Sequence, residues 1–239
     1  MLLALFLIDL AAGLYLFLPL VGRRNAGVKF YRLIFIVSGV LMVCASIAHW
    51  AIEDLIVIAL TIIVYATLRY PKRLIFRVPS ALLGAAYIAV AIYAWRITTT
   101  ASWIWSTLGA LASIALLGSV NLAMLLGHWY LVVRGMSIDP LKRLTMATLV
   151  SAIARTIVVI LALLVPGMWS GIAIRQGIFF WMRAGWGLIA PLALYPMVWG
   201  TVRIRSTMAA TGILYVDVVA VVIGEVLGGW LSALAHVPV

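Results

Sequence analysis

Four ionisable residues lie deep inside long apolar segments of the sequence: Asp9, Arg155, Arg183 and Glu225. A charged side chain within a bilayer is energetically unfavourable, so each of them needs a partner or a function. At about 1.5 Å of rise per helical residue, Arg155 and Glu225 are expected at the same depth near mid-membrane. We expect a buried ion pair that either holds two helices in register or forms part of a proton or quinone site.

Asp9 and Arg183 are both expected in the same outer third of the membrane, where they could pair with each other. Arg183 lies in the run 181–187, whose tryptophans and glycines would let a helix or a flat ligand approach closely. An arginine flanked by aromatic rings can bind an anionic or carbonyl-bearing head group. The alternative is that the Arg183 side chain simply extends toward the membrane interface.

His128 and Asp217 form a second candidate pair, close to the opposite end of the helices from Asp9. A His–Asp pair at that depth could carry protons or orient the imidazole toward a ligand. The alternative for His128 is an interfacial imidazole that hydrogen-bonds a backbone carbonyl group. Both residues are therefore kept as candidates for a proton or quinone site.

The counts of histidine and cysteine limit the cofactors that the chain can hold. It has three histidines and one cysteine, Cys44. One b-type haem needs two axial ligands at one depth, and His49 with His236 is the depth-compatible histidine pair. A single cysteine cannot hold an iron–sulfur cluster or a structural zinc ion, and we expect no metal site of this kind. The counts therefore allow at most one bis-histidine haem and leave a His/Met haem open, since the chain has nine methionines. A quinone, which needs neither histidine nor cysteine, is the other possible cofactor.

Motifs of self-contained catalysis are missing from the sequence. We find no phosphate-binding loop of the Walker type, no HExxH zinc helix and no GxSxG nucleophile elbow. No catalytic residue is therefore predicted, and the chain is not expected to be catalytic alone.

The composition indicates that the segments that carry these residues lie in a membrane. Of the 239 residues, 67% are hydrophobic and 10% are charged, whereas a soluble domain has about 25% charged residues. Lipid must therefore solvate much of the surface. The net charge of +11 comes from short loops between apolar segments, a pattern that argues against nucleic-acid binding.

The apolar segments predict an all-α bundle of about eight transmembrane helices in a single domain over residues 1–239. The eight predicted spans cover roughly residues 2–21, 33–50, 53–68, 78–96, 102–133, 142–165, 177–201 and 208–235. The second and third spans are expected to form a tight hairpin, and the short third span leaves seven crossings as an alternative.

Loop charges predict the orientation. Thirteen basic residues fall in loops on one side of the predicted bundle, against two, Arg96 and Arg175, on the other. The thirteen are Arg23, Arg24, Lys29, Arg32, Arg69, Lys72, Arg73, Arg77, Arg134, Lys142, Arg143, Arg203 and Arg205. Cytoplasmic loops are enriched in lysine and arginine, so the sequence predicts a multi-pass inner-membrane protein with basic cytoplasmic loops and both termini outside.

Most tryptophans are expected near the outer face. These are Trp50, Trp95, Trp103, Trp105, Trp169, Trp181, Trp186 and Trp230. They form either an aromatic belt at the lipid head groups or a surface for a partner subunit or an amphipathic ligand.

An arrangement of eight spans with outer termini resembles the membrane-anchor subunits of quinone-linked oxidoreductases of the polysulfide-reductase type, in architecture alone. The resemblance implies a subunit of a respiratory or photosynthetic electron-transfer complex, with a quinone or haem site, a proton path and further subunits at the outer face. A proton-coupled secondary transporter and a purely structural or assembly subunit are the alternatives.

Overall fold

The computed structural model describes residues 1–68, 73–133 and 135–239, and these residues form helices without any strand. A chain in lipid must satisfy its backbone hydrogen bonds internally, and long apolar segments do so as helices. The α-helices are α1 (Leu2–Val21), α2 (Arg23–Ala48), α3 (Ile52–Thr67), α4 (Arg73–Thr99), α5 (Trp103–Val132), α6 (Asp139–Leu163), α7 (Gly177–Met182), α8 (Ala190–Arg203) and α9 (Thr207–Ala235).

Seven helical segments of the described chain are long and apolar enough to cross a membrane. They are Leu2–Val21, Asn25–Ala48, Val78–Thr99, Trp103–Val132, Asp139–Leu163, Gly177–Arg203 and Thr207–Ala235. The prediction of an all-α membrane protein is therefore confirmed. The third expected span corresponds to α3, which has 16 residues. A helix of that length is about 24 Å long, less than the hydrocarbon thickness of about 30 Å.

The second helix begins ten residues before the predicted residue 33, because the basic segment before it is also helical. Gly27 has a φ of 76° and interrupts the helix, a conformation that glycine adopts without a steric penalty. At the start of α2, Arg23 Nη2 donates to the Leu68 carbonyl oxygen at 2.7 Å. The end of α3 therefore lies beside the start of α2, and the two helices form the expected hairpin.

The centre of the bundle is α5, which packs against α1, α4, α6 and α9. Gly13 of α1 faces Gly118 of α5 where the two backbones are closest. A Cβ atom added to Gly13 would lie 2.6 Å from the Gly118 Cα atom. The crossing therefore depends on both glycines, and it holds the preceding turn of α1, with Asp9, against α5.

A single helix of 27 residues, Gly177–Arg203, contains α7, a π-helical segment over Arg183–Ile189, and α8. Pro191 follows the π-helical segment and has no N–H group for the carbonyl of Gly187, so the regular hydrogen-bond pattern cannot continue there. The π-helical segment begins at Arg183 and packs against α9. A separate π-helical segment, Trp169–Ile174, precedes α7.

Candidate functional site

The centre of the candidate site is Glu225, whose carboxylate binds two arginines. Arg155 donates from Nε to Oε1 at 3.0 Å and from its Nη2 to Oε2 at 3.1 Å. Arg183 Nη2 donates to Glu225 Oε1 at 2.9 Å. All three residues are buried, so α6, the π-helical segment and α9 are joined by an Arg–Glu–Arg triad in which cations outnumber carboxylates.

Glycines of the last two helical segments make room for the Arg183 guanidinium. A Cβ atom added to Gly187 would lie 2.7 Å from the Gly224 Cα atom, and one added to Gly228 would lie 2.7 Å from Arg183 Nε. Arg183 Nε also donates to the Val239 backbone carbonyl at 3.4 Å. The glycines therefore direct Arg183 toward α9 and Glu225.

Trp95 joins the triad to Asp9. Its Nε1 donates to Asp9 Oδ2 at 2.8 Å, and the Arg155 Cζ atom lies 5.7 Å from the Trp95 ring centroid. Such a cation–π contact is stronger when the cation is buried, as Arg155 is. The other carboxyl oxygen, Asp9 Oδ1, is buried and has no hydrogen-bond partner among the described residues. It is therefore available to a ligand or a proton.

A cavity of about 430 Å³ borders Asp9 and Glu225. Its polar lining side chains are Asp9, Ser113 and Glu225, with the indole of Trp95 beside them. The remaining lining residues are Leu2, Leu3, Leu5, Phe6, Phe179, Val226, Leu227, Gly229 and Trp230. Leu3 and Val226 are exposed on the outside of the bundle. The cavity is therefore apolar at its lipid-facing rim and polar at its inner wall.

Comparison of the chain with family models, curated proteins and solved structures finds no match.

The contact predicted between Arg155 and Glu225 is confirmed. The proposed pairing of Arg183 with Asp9 is wrong, because Arg183 binds Glu225 and Asp9 binds Trp95. The interpretation that Arg183 extends to the interface is also wrong, since its side chain is fully buried.

The structure does not join His128 to Asp217 within the described chain. His128 Nδ1 lies 3.4 Å from the Tyr215 hydroxyl, and Asp217 Oδ1 is buried without a hydrogen-bond partner among the described residues. Tyr215 and Asp217 are two residues apart on α9 and point in different directions, so the residue that faces His128 is the tyrosine. Asp217 is also about 12 Å along α9 from Glu225, in a separate location.

The two histidines of the haem prediction end different helices. His236 follows α9 with a φ of 58°, and its Nδ1 lies 2.8 Å from the Thr99 carbonyl oxygen and 2.6 Å from Thr100 Oγ1. His49 follows α2, which packs mainly against α1 and α3. Among the described residues, no group of three or more His, Cys, Asp and Glu side chains could hold a metal ion. A haem bound by His49 and His236 stays a prediction.

Trp95 is the site residue that the sequence interpretation missed. The sequence predicts that Trp95 belongs to the outer group of tryptophans at the lipid interface, whereas its exposed fraction is 2%, against 77% for Trp50. Trp103, Trp169, Trp181 and Trp186 are exposed, as a belt or a partner surface requires. Ser113 and Val239 were missed as well, because an isolated serine and a terminal valine carry no recognisable signal.

Replacing Trp95 with phenylalanine is expected to destabilise the protein by about 1–3 kcal/mol, because the buried Asp9 carboxyl group loses the indole N–H that donates to its Oδ2 atom. The matched control is Trp103→Phe, which alters an exposed ring beside Arg96 and should change stability by less than about 0.5 kcal/mol. Unfolding in mixed micelles of increasing denaturing-detergent content measures both. Equal stability of the two variants would contradict the assigned role of Trp95.

Proposed function

We propose that the chain is an integral membrane subunit of a respiratory or photosynthetic electron-transfer complex and binds a quinone in the cavity beside Asp9 and Glu225. The observation that carries the proposal is the position of Asp9 Oδ1 at the inner wall of a cavity with a lipid-facing rim. This oxygen is buried and has no hydrogen-bond partner among the residues that the structure describes. A ligand that enters from the bilayer must be apolar, and one that binds at this wall must form hydrogen bonds.

The size and lining of the cavity suit a quinone ring and the first part of its tail. Small-molecule sites are mostly apolar, occupy about 300–1,000 Å³ and hold a few polar groups that orient the ligand. The hydroxyl of Ser113 can donate to one quinone carbonyl oxygen, and Asp9 can donate when it is protonated. Leu2, Phe6 and Phe179 form apolar walls around the remainder of the ligand.

The triad beside the cavity supports redox chemistry of the ligand. Reduction of a quinone to a quinol takes up two electrons and two protons. In our proposal an electron-carrier subunit supplies both electrons, and both protons come from water by way of Asp9. Asp9 transfers one proton to a ring oxygen, is reprotonated, and then transfers the second. The fixed positive charge of Arg155 and Arg183 beside Glu225 stabilises negative charge that develops on the ring.

The proposed orientation places the basic loops in the cytoplasm and the cavity in the outer half of an inner membrane. Arg23, at the start of α2, contacts Leu68, at the end of α3. This contact supports a path in which α3 returns the chain to the side of the membrane where α2 begins, and hence eight crossings. The contact of His236 with Thr100 joins the end of α9 to the α4–α5 loop, which supports a location of both at the same end of the bundle. The exposed tryptophans near that face are the proposed surface for partner subunits.

Quinone binding is tested on the purified protein by extraction of bound quinone and by titration with a short-chain ubiquinone analogue. Asp9→Leu is expected to raise the Kd by about 10–100-fold, because one strong hydrogen bond is lost. The control, Asp139→Asn, alters an exposed carboxylate that accepts from Ser137 and should leave the Kd unchanged. A protein without extractable quinone that binds no analogue would refute the proposal.

A proton-coupled secondary transporter is the second candidate, and the π-helical segment at Arg183 favours it. Discontinuous helices commonly form transport sites near mid-membrane, and Asp217, Glu225 and Arg155 would be the coupling residues. Solute uptake by the protein in liposomes, lost in Glu225→Gln, would favour this function. If neither quinone binding nor uptake is found, the third candidate is a structural subunit whose polar residues hold helices together.

A further inference from the structure

A second cavity lies at the opposite end of α1 from Asp9. It occupies about 550 Å³ between the second half of α1 and the first halves of α2 and α4. Tyr31, Phe35 and Phe76 line it with aromatic rings, and Tyr15 and Ser80 contribute hydroxyl groups. Tyr15 donates to the Ser80 carbonyl oxygen at 2.7 Å. The cavity is therefore apolar, with a small polar region within it.

Positive charge lies next to this cavity. The Arg23 Cζ atom is 6.0 Å from the centroid of the Phe76 ring, which lines the cavity. Residues 22–32 and 69–77, which flank the cavity in sequence, contain eight basic residues and no acidic residue. Each lysine or arginine near a membrane surface attracts anionic lipid by about 1 kcal/mol. An occupant of the cavity that reaches its end would therefore be favoured if its head group were anionic.

We propose that this cavity binds one anionic diacyl phospholipid, with an acyl chain among Tyr31, Phe35 and Phe76 and its phosphate group beside Arg23. The hydroxyl group of Ser80 can donate to an ester carbonyl group of the lipid, while the Tyr15 hydroxyl keeps its bond to the Ser80 carbonyl oxygen. Such a lipid fills the space between α1, α2 and α4. It also neutralises part of the positive charge on this end of the bundle.

The inference is independent of the quinone proposal, because it concerns other residues and another ligand. The test measures lipid retained by the purified protein after reconstitution into nanodiscs of equal parts phosphatidylglycerol and phosphatidylcholine, followed by extraction into detergent and mass spectrometry. We expect about one retained phosphatidylglycerol per chain, with little phosphatidylcholine. Equal retention of both lipids by the unaltered protein would overturn the proposal without any variant.

Two variants locate the lipid. Gly84→Leu adds a side chain to the cavity wall near Leu16 and Tyr15 and should abolish retention, whereas Arg23→Gln should lower the preference for phosphatidylglycerol about five-fold. The control for Gly84→Leu is Gly39→Leu, which fills a separate apolar cavity between α2 and α3. The control for Arg23→Gln is Arg143→Gln on α6, an exposed arginine.

Both controls should retain the lipid as the unaltered protein does. Loss of retention in Arg143→Gln equal to that in Arg23→Gln would show a general attraction by the basic loops and would refute a specific site. Retention by a folded Gly84→Leu protein would place the lipid outside this cavity. Should Gly84→Leu fail to fold, Ala81→Leu on the same wall provides the same measurement.

Discussion

Replacement of Glu225 with leucine should destabilise the protein by about 3–5 kcal/mol, because it leaves buried charge without its counter-ion. This loss of stability is expected to be larger than for a carboxylate that binds a single arginine. Both Arg155 and Arg183 bind the same carboxylate, so one substitution removes the partner of two arginines. The measurement is the free energy of unfolding in mixed micelles of increasing denaturing-detergent content.

The matched variants are Arg155→Leu and the double change Arg155→Leu with Glu225→Leu. The single arginine change should cost only about 1–3 kcal/mol, because Glu225 keeps Arg183 as its partner. A simple pair would be partly rescued by the double change, as the sequence alone predicts. Because Arg183 is then left without a carboxylate, we expect the double variant to be at least as unstable as Arg155→Leu. Clear rescue would contradict the shared-carboxylate arrangement.

Replacement of Gly118 with valine is expected to destabilise the bundle by about 3 kcal/mol or more, because the added side chain must separate two backbones rather than displace a flexible side chain. The nearest atoms to a Cβ at Gly118 belong to the backbone of Gly13. Gly13 lies one helical turn after Asp9, so separation of α1 from α5 also alters the cavity that Asp9 lines. The midpoint temperature of thermal unfolding and the affinity for the quinone analogue should therefore fall together.

Gly212→Val is the control for this prediction. Gly212 lies within α9, and a Cβ atom added there would have no atom of another described residue within 4 Å beyond its own helix backbone. Since valine has a higher helix propensity than glycine, this variant should be equally or slightly more stable than the unaltered protein. If both valine variants behave alike, the close crossing of α1 and α5 does not determine stability.

The sequence predicted the fold class and a common depth for Arg155 and Glu225, because apolar length and helical rise depend on local sequence alone. The expected depth in the membrane was enough to predict the contact between Arg155 and Glu225. For Arg183 the expected depth indicated Asp9 as the partner, whereas the structure joins Arg183 to Glu225, and depth also leaves the angle around the bundle undetermined. Glycines on two different helical segments, Gly187 and Gly224, determine that angle, and their proximity appears only after folding.

Trp95 shows the same limitation in another form. A tryptophan near the end of an apolar segment is typical of the lipid interface, so composition assigned it to the belt. Its burial results from Gly109, where an added Cβ atom would lie 2.7 Å from the Trp95 ring.

The position of α3 could not be predicted either. A short apolar segment in the sequence indicated that α3 is a helix. The contact of Arg23 with Leu68 shows that the end of α3 lies beside the start of α2.

The triad also has a consequence for biogenesis. Arg155 and Arg183 precede Glu225 in the chain, so both arginines are translated before the carboxylate that binds them. An arginine at the centre of a membrane helix raises the apparent insertion free energy by about 2.5–3.5 kcal/mol. In a nascent chain that still lacks α9, the helices that carry Arg155 and Arg183 should therefore be only partly inserted into the membrane. Final integration of α6 and of the segment that contains Arg183 would await the last helix, so a chain truncated before α9 is expected to be a substrate for membrane proteases.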